Sequence, residues 1–306
     1  TLTSATPVLS NDVTAATTVY YTPYLCNMIS LYDGSKWNTV SFSEVSQALS
    51  DSTKSPSAAG VSQIYDMFGW LDGSTFRVTR GPTWATGGGS ATARGAGAGS
   101  TELDRINGVW LNKFSITNGP SADLGIYLGT ISTDANGANG QLNMMFAPAA
   151  AAGGTNNRLD VWNAYNKVVV SAWCRDSTDS WSYATATTRS KNNSTSNRIT
   201  FVQGLNEDFV EVTDLQGNTP GATGITTYSG VGLDSTSVFS GMSSFGSVGS
   251  GNGVPQAWVS SYNGFPGIGS HFFQSLERGP GISSITWFGD NGGTLLQTGT
   301  YLKARF

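Results

Sequence analysis

His271 is the only histidine in the chain, so it limits the acid–base chemistry the sequence can offer. A Ser-His-Asp relay would have to use it, and no Gly-x-Ser-x-Gly turn is present to offer the serine. In GIGSHFFQSLERG it opens an apolar, strand-like run, which predicts a structural, hydrogen-bonded imidazole. One histidine and two distant cysteines, Cys26 and Cys174, do not make a zinc ligand set. Both cysteines lie in apolar, strand-like settings and are expected to be buried free thiols, with a single disulfide as the alternative.

Paired carboxylates are the groups that cleave glycosidic bonds. The candidates are Glu207 with Asp208, Asp176 with Asp179, and Asp66 with Asp72. All fall at expected strand ends or turns, where acidic side chains serve solvation and turn hydrogen bonding. STDANGANGQ offers Asp134, Asn136 and Asn139 as oxygen ligands for calcium. Ala138 breaks that pattern and no glutamate closes the loop, so it is not an EF-hand. GDNGG at Asp290 reads as a turn. The segment ATGGGSATARGAGAGS (85–100) lacks both the Gly-Lys-Ser/Thr of a phosphate loop and the third glycine of a dinucleotide fingerprint. No catalytic, cofactor-binding or metal-binding residue is therefore assigned, and no cofactor is expected. Two aromatics lie in loops, Trp84 in GPTWATGGG and Phe265 in YNGFPGIG. They are the candidates for surface or glycan contact, against the plainer reading that each plugs the end of a sandwich or a seam between subunits.

The elements that must hold these residues are strands. Thr17–Tyr21 and Met28–Tyr32 are β-branched and aromatic, and Asp33-Gly34 turns the chain into Trp37–Phe42, a hairpin pattern. A second hairpin runs Met67–Leu71, Asp72-Gly73, Thr75–Arg80, with Phe76 and Val78 on the opposite face from Arg77 and Thr79. Between them SFSEVSQALSD predicts one or two helical turns capped by Ser43. Segment 85–100 reads as a flexible loop or as backbone packed against a neighbouring chain, and FAPAAAAGGTNN as a second break. Strands resume with Lys167–Cys174, with SWSYATATTRS placing Trp181, Tyr183, Thr185 and Thr187 on one face, and with NRITFVQGL, DFVEVTDL, QAWVSSYNG and SSITWFGDNGG. Short strands between Gly and Asn turns, without a fixed repeat, predict an all-β antiparallel sandwich, jelly-roll-like. An N-terminal β arm or hairpin with a short helix is expected over 1–50, and the sandwich over 51–306.

Composition agrees. The 306 residues carry 12% charged side chains and 39 glycines, which suits turns and short strands better than long helices. A net charge of -4 gives no basic face for nucleic acid. No run approaches the roughly 18 apolar residues of a membrane helix, and no signal peptide is visible at the start. The ending TYLKARF suits an outer-membrane barrel, but the strands lack sustained alternation over about nine to eleven residues. No membrane insertion is expected.

The opening TLTSATPVLSNDVTAATTVYYTPYLCNMISLYDGSKW resembles the start of a family of tailed-phage and prophage proteins, mostly uncharacterised and described as tail-fibre-like. It shares their Thr-rich start, the YYTPY stretch and the LYDGxxW turn. VWNAYNKV, GVGLDST and the run from Asp176 to Val212 extend the resemblance. The resemblance implies a structural protein on the virion surface, most simply a tail fibre or spike that attaches to the host. A capsid decoration or head-fibre protein and a polysaccharide-degrading spike enzyme are the alternatives. It further implies a homo-oligomer, with a trimer favoured, other virion proteins as partners, and a host surface glycan as a candidate ligand. Thr1 to Trp37 is expected to pair with a neighbouring chain.

Overall fold

Alternation along the strand Val210–Pro220 shows how the sequence builds this architecture. Val210, Val212, Asp214, Gln216 and Asn218 point inward and are buried, while Glu211, Thr213 and Leu215 face out. The computed structural model describes residues 1–247, 253–293 and 297–306. Among them there is no α-helix, only a 3-10 turn at Lys191–Asn193.

The protein is an all-β, sandwich-like fold. Its larger sheet curls on itself. Arg198–Gln203, Gly269–Arg278 and Thr226–Leu233 form one limb. Gln256–Gly264, Val210–Pro220, Gly299–Arg305 and Val169–Arg175 form the other. Ser240–Ser247 pairs with both limbs and closes the bend between them. Across the gap Phe273 stacks on Phe201 of its own limb at 5.6 Å and meets Tyr262 of the opposite limb at 4.9 Å. A second, six-stranded sheet is ordered Thr75–Thr83, Ile64–Asp72, Ile126–Ser132, Val109–Asn112, Leu103–Ile106, with Val161–Asn163 added on Ile126–Ser132. One continuous core joins the two, running through Phe68, Tyr127, Trp162 and Phe201.

Both expected hairpins are present, as Met28–Tyr32 with Trp37–Ser41 and as Ile64–Asp72 with Thr75–Thr83. Phe76 and Val78 are buried, and Thr79 on the other face accepts the Trp70 indole N–H at 2.7 Å. The N-terminal region is built into the common core through Leu2, Val19, Ile29, Leu31 and Phe42. Its strand Val13–Ala16 pairs with Leu142–Met144 of the large sheet.

Three local expectations need correction. The helix expected after Ser43 is a strand, Val45–Ala48, paired with Thr18–Tyr21. The ladder and the burial of Gln47 outweigh a weak helical spacing. The strand at Trp181 stops at Ser182, because the chain turns back and the Tyr183 hydroxyl donates to the Thr187 carbonyl at 2.7 Å. The Gly/Ala segment is packed against its own chain. Arg94 reaches from it into the core, where its Nε and Nη2 donate to the two oxygens of buried Asp66 at 2.7 and 3.0 Å. Its glycines permit close backbone approach. A Cβ on Gly95 would lie 1.6 Å from the Thr86 carbonyl oxygen, and one on Gly89 1.7 Å from that of Trp84.

Part of the space between the limbs is polar. Lys191 and Asp214 pair there with both side chains buried. Ser275 and Thr300 share a hydrogen bond. Glu277 accepts the Trp181 indole N–H at 2.7 Å and Arg189 Nε at 2.8 Å. Burial pushes the Glu277 carboxyl up from 4.5 to about 7, against the pull of Trp181 and Arg189. Between those two values the folded chain holds a proton that the unfolded chain has lost. The contribution of Glu277 is therefore complete below about pH 4.5 and declines as the pH rises to about 7. We expect Glu277→Gln to remove this slope. In urea unfolding, the stability difference between variant and parent should change by roughly 3 kcal/mol over that window. Parallel pH profiles for the two proteins would contradict the assignment.

Candidate binding cleft

A large concavity lies beside the N-terminal hairpin. It is an open cleft of about 500 Å³. One wall is the opening stretch itself. The strand Thr18–Tyr21 ends in Tyr21, whose ring stacks on Phe42 at 5.2 Å and lies 5.9 Å from Phe76. Trp37 begins the return strand of the hairpin and packs against Tyr32 at 5.3 Å. Pro23 keeps the preceding residue extended, and the loop after it carries Tyr24, Leu25 and Cys26 to the rim. Tyr24 is 44% and Leu25 84% exposed.

The facing wall comes from the six-stranded sheet and an adjacent loop. Val109 and Ile126 supply its apolar floor. Asn107 stands on the tight turn between Leu103–Ile106 and Val109–Asn112, where Asn107 and Gly108 both take positive φ, 52° and 89°. An Asn-Gly pair suits that turn, because both residues tolerate the left-handed region. Tyr165 and Asn166 are set by Asn163, whose Oδ1 accepts both of their backbone N–H groups at 3.0 and 3.1 Å.

The cleft is aromatic and uncharged. No Asp, Glu, Lys, Arg or His lines it. Burial pushes the Tyr21 hydroxyl up to about 12, so it stays a neutral donor. The carboxamides of Asn107 and Asn166 and the hydroxyls of Ser30 and Tyr24 make no hydrogen bond within the described chain. Ring faces flanked by uncommitted amide and hydroxyl groups can stack on an apolar ring face while bonding to its polar edge.

The residues singled out from sequence lie elsewhere. Trp84 is 1% exposed, with the Arg94 guanidinium 4.5 Å above its ring. It follows an inward-running strand and is covered by the packed Gly/Ala segment, so the expected surface role is corrected to a core one. Phe265 is 56% exposed and meets exposed Phe209 edge-on at 5.5 Å. Cys174 is buried as expected. Cys26 is exposed, because it lies in the loop after Pro23 and not in a strand; both thiols are free. His271 is buried, with Nδ1 2.8 Å from Asp234 Oδ2 and Nε2 3.2 Å from the Ile268 carbonyl oxygen.

Among the described residues, every carboxylate of the candidate acidic pairs except that of Asp179 is engaged by a hydrogen bond or an ion pair. Glu207 and Asp208 both receive Lys167, at 2.7 and 2.8 Å. Asp72 receives Lys54 and Arg77. Asp176 accepts from Gly153, Thr178, Asn192 and Asn197. The Asp134 carboxylate closes its own loop by accepting from Asn136, Gln141 and Asn143. Among the described residues no group of three His, Cys, Asp or Glu is placed to hold a metal ion. Asn107 is not among the residues singled out from sequence, although its signal, an Asn-Gly pair between Ile106 and Val109, is present in DRINGVW.

No protein-family model matches the chain, and no curated protein matches it.

Proposed function

We propose that this chain is a structural protein on the exterior of a tailed-phage particle, a tail fibre or spike, and that it attaches to a neutral host-surface glycan through the aromatic cleft. The observation that carries the reading is the cleft itself: Tyr21, Tyr24, Trp37 and Tyr165 around uncommitted amides, with no carboxylate among the lining residues. That chemistry binds a sugar ring without supplying the two acids that hydrolysis requires. A low charge content and a sandwich closed by turns suit a surface exposed outside cells. The outer face of the large sheet supports a homo-oligomer or contact with other virion proteins. There Trp173 and Tyr301 pair at 4.6 Å, and Val169 and Met242 are also exposed.

Glycan-array binding is the direct test. We expect retention of neutral oligosaccharides, unchanged between about pH 5 and 8 because no Asp, Glu or His lines the cleft. The Tyr24→Ala/Tyr165→Ala double variant should bind about tenfold more weakly. Absence of binding, or depolymerisation of the glycan on incubation, would overturn the attachment reading. Electron cryomicroscopy of particles would test the location. Density over the capsid lattice would make the chain a decoration protein instead.

A further inference from the structure

A second concavity, about 380 Å³, opens where the two sheets meet. Thr83 and Ser132 reach it from the six-stranded sheet, Arg158 and Ser270 from the large sheet, and Ser90 from the Gly/Ala segment. It shares no residue with the aromatic cleft. Its chemistry is also different. Hydroxyls, one amide and one guanidinium line it, with no carboxylate among them.

The groups already committed decide what it can accept. The Thr83 hydroxyl donates to Gln63 Oε1 at 2.6 Å, which leaves the Gln63 Nε2 amide as a donor without a partner. Arg158 gives Nε and Nη2 to Asp160, at 3.0 and 2.7 Å, which leaves Nη1. The Ser62, Ser132 and Ser270 hydroxyls make no hydrogen bond within the described chain. The wall includes Trp84, whose buried indole N–H has no partner. Donors thus gather in one cavity, and its one amide acceptor is spent on Thr83. Such a site selects a ligand that brings acceptors.

We propose that this cleft binds an oxyanion carried on a polyhydroxylated body, that is, an acidic sugar bearing a carboxylate or a phosphate. Gln63 and Arg158 are its principal donors, and the serine hydroxyls meet the sugar. The inference stands apart from the attachment reading, because it uses other residues and another ligand charge.

Isothermal titration of the whole chain with glucuronate, glucose 6-phosphate and glucose tests it at low ionic strength. At least one of the two anions should bind with a Kd near 1 mM, glucose should not, and the stronger anion tells carboxylate from phosphate. Arg158→Gln strands buried Asp160 and risks unfolding, so the decisive variant is Gln63→Glu. It keeps the acceptor for Thr83 and replaces the outward donor with a negative charge. We expect an unchanged Tm and a Kd raised at least tenfold. Glucose binding as tightly as the anions, no anion binding up to about 20 mM, or unaltered affinity in Gln63→Glu would each overturn the proposal.

Discussion

Arg94→Ala should lower the unfolding free energy by about 3–5 kcal/mol. The guanidinium is the only cation against Asp66 among the described residues, and Asp66 is fully buried. Without it, Asp66 keeps one hydrogen bond, from the Thr130 hydroxyl at 2.7 Å, which does not compensate a buried charge. Arg94 also covers the rings of Trp84 and Tyr127, at 4.5 and 5.3 Å, and Nη2 lies 3.3 Å from the Tyr127 hydroxyl. The same side chain anchors the Gly/Ala segment, so its loss should appear twice. Urea denaturation should give the stability loss, and amide exchange across 85–100 should accelerate. Arg94→Met combined with Asp66→Asn should cost less than Arg94→Ala alone, because the stranded charge goes with its partner. An Arg94→Ala protein within 1 kcal/mol of the parent, with exchange unchanged, would show that the segment is held by backbone packing alone.

Lys191→Met should be of similar size, about 3–5 kcal/mol. The Lys191 ammonium donates to both oxygens of Asp214, at 2.9 and 2.7 Å, with the two side chains 1% and 0% exposed. Asp214 then retains only the hydroxyls of Ser229 and Thr300, each at 3.0 Å. The control is Lys191→Met combined with Asp214→Asn, which removes the stranded charge with its partner and should cost less than Lys191→Met alone. Chemical denaturation of the parent, the single variant and the double variant would read this directly. Equal penalties for the two variants would mean that the loss comes from packing around the methionine.

These two ion pairs also mark where the sequence is legible and where it is not. The hairpin at Asp33-Gly34, the hairpin at Asp72-Gly73 and the alternation in DFVEVTDL are local patterns. Each was readable because side-chain period and turn chemistry act within a few residues. Asn107-Gly108 carries the same kind of signal. The all-β class follows from such patterns in sum.

What the sequence could not show is which polar residues go inside. Lys191 lies in TTRSKNNSTS, a stretch that reads as a solvated loop. It is buried because Asn192 and Asn193 adopt positive φ and turn the chain toward a carboxylate 23 residues further on. Arg94 sits among glycines and alanines, yet it enters the core to reach an aspartate 28 residues before it. Its arrival also covers Trp84, a residue that a loop position would place at the surface. Concavity has the same origin. Tyr21, Trp37, Asn107 and Tyr165 belong to separate elements, and only the docking of the N-terminal hairpin beside the six-stranded sheet makes them one cleft. By itself the sequence determined strand, turn and inward-facing apolar residues, which depend on neighbours along the chain. Charge burial and cleft shape depend on residues far apart in the chain, and only the tertiary structure decided them.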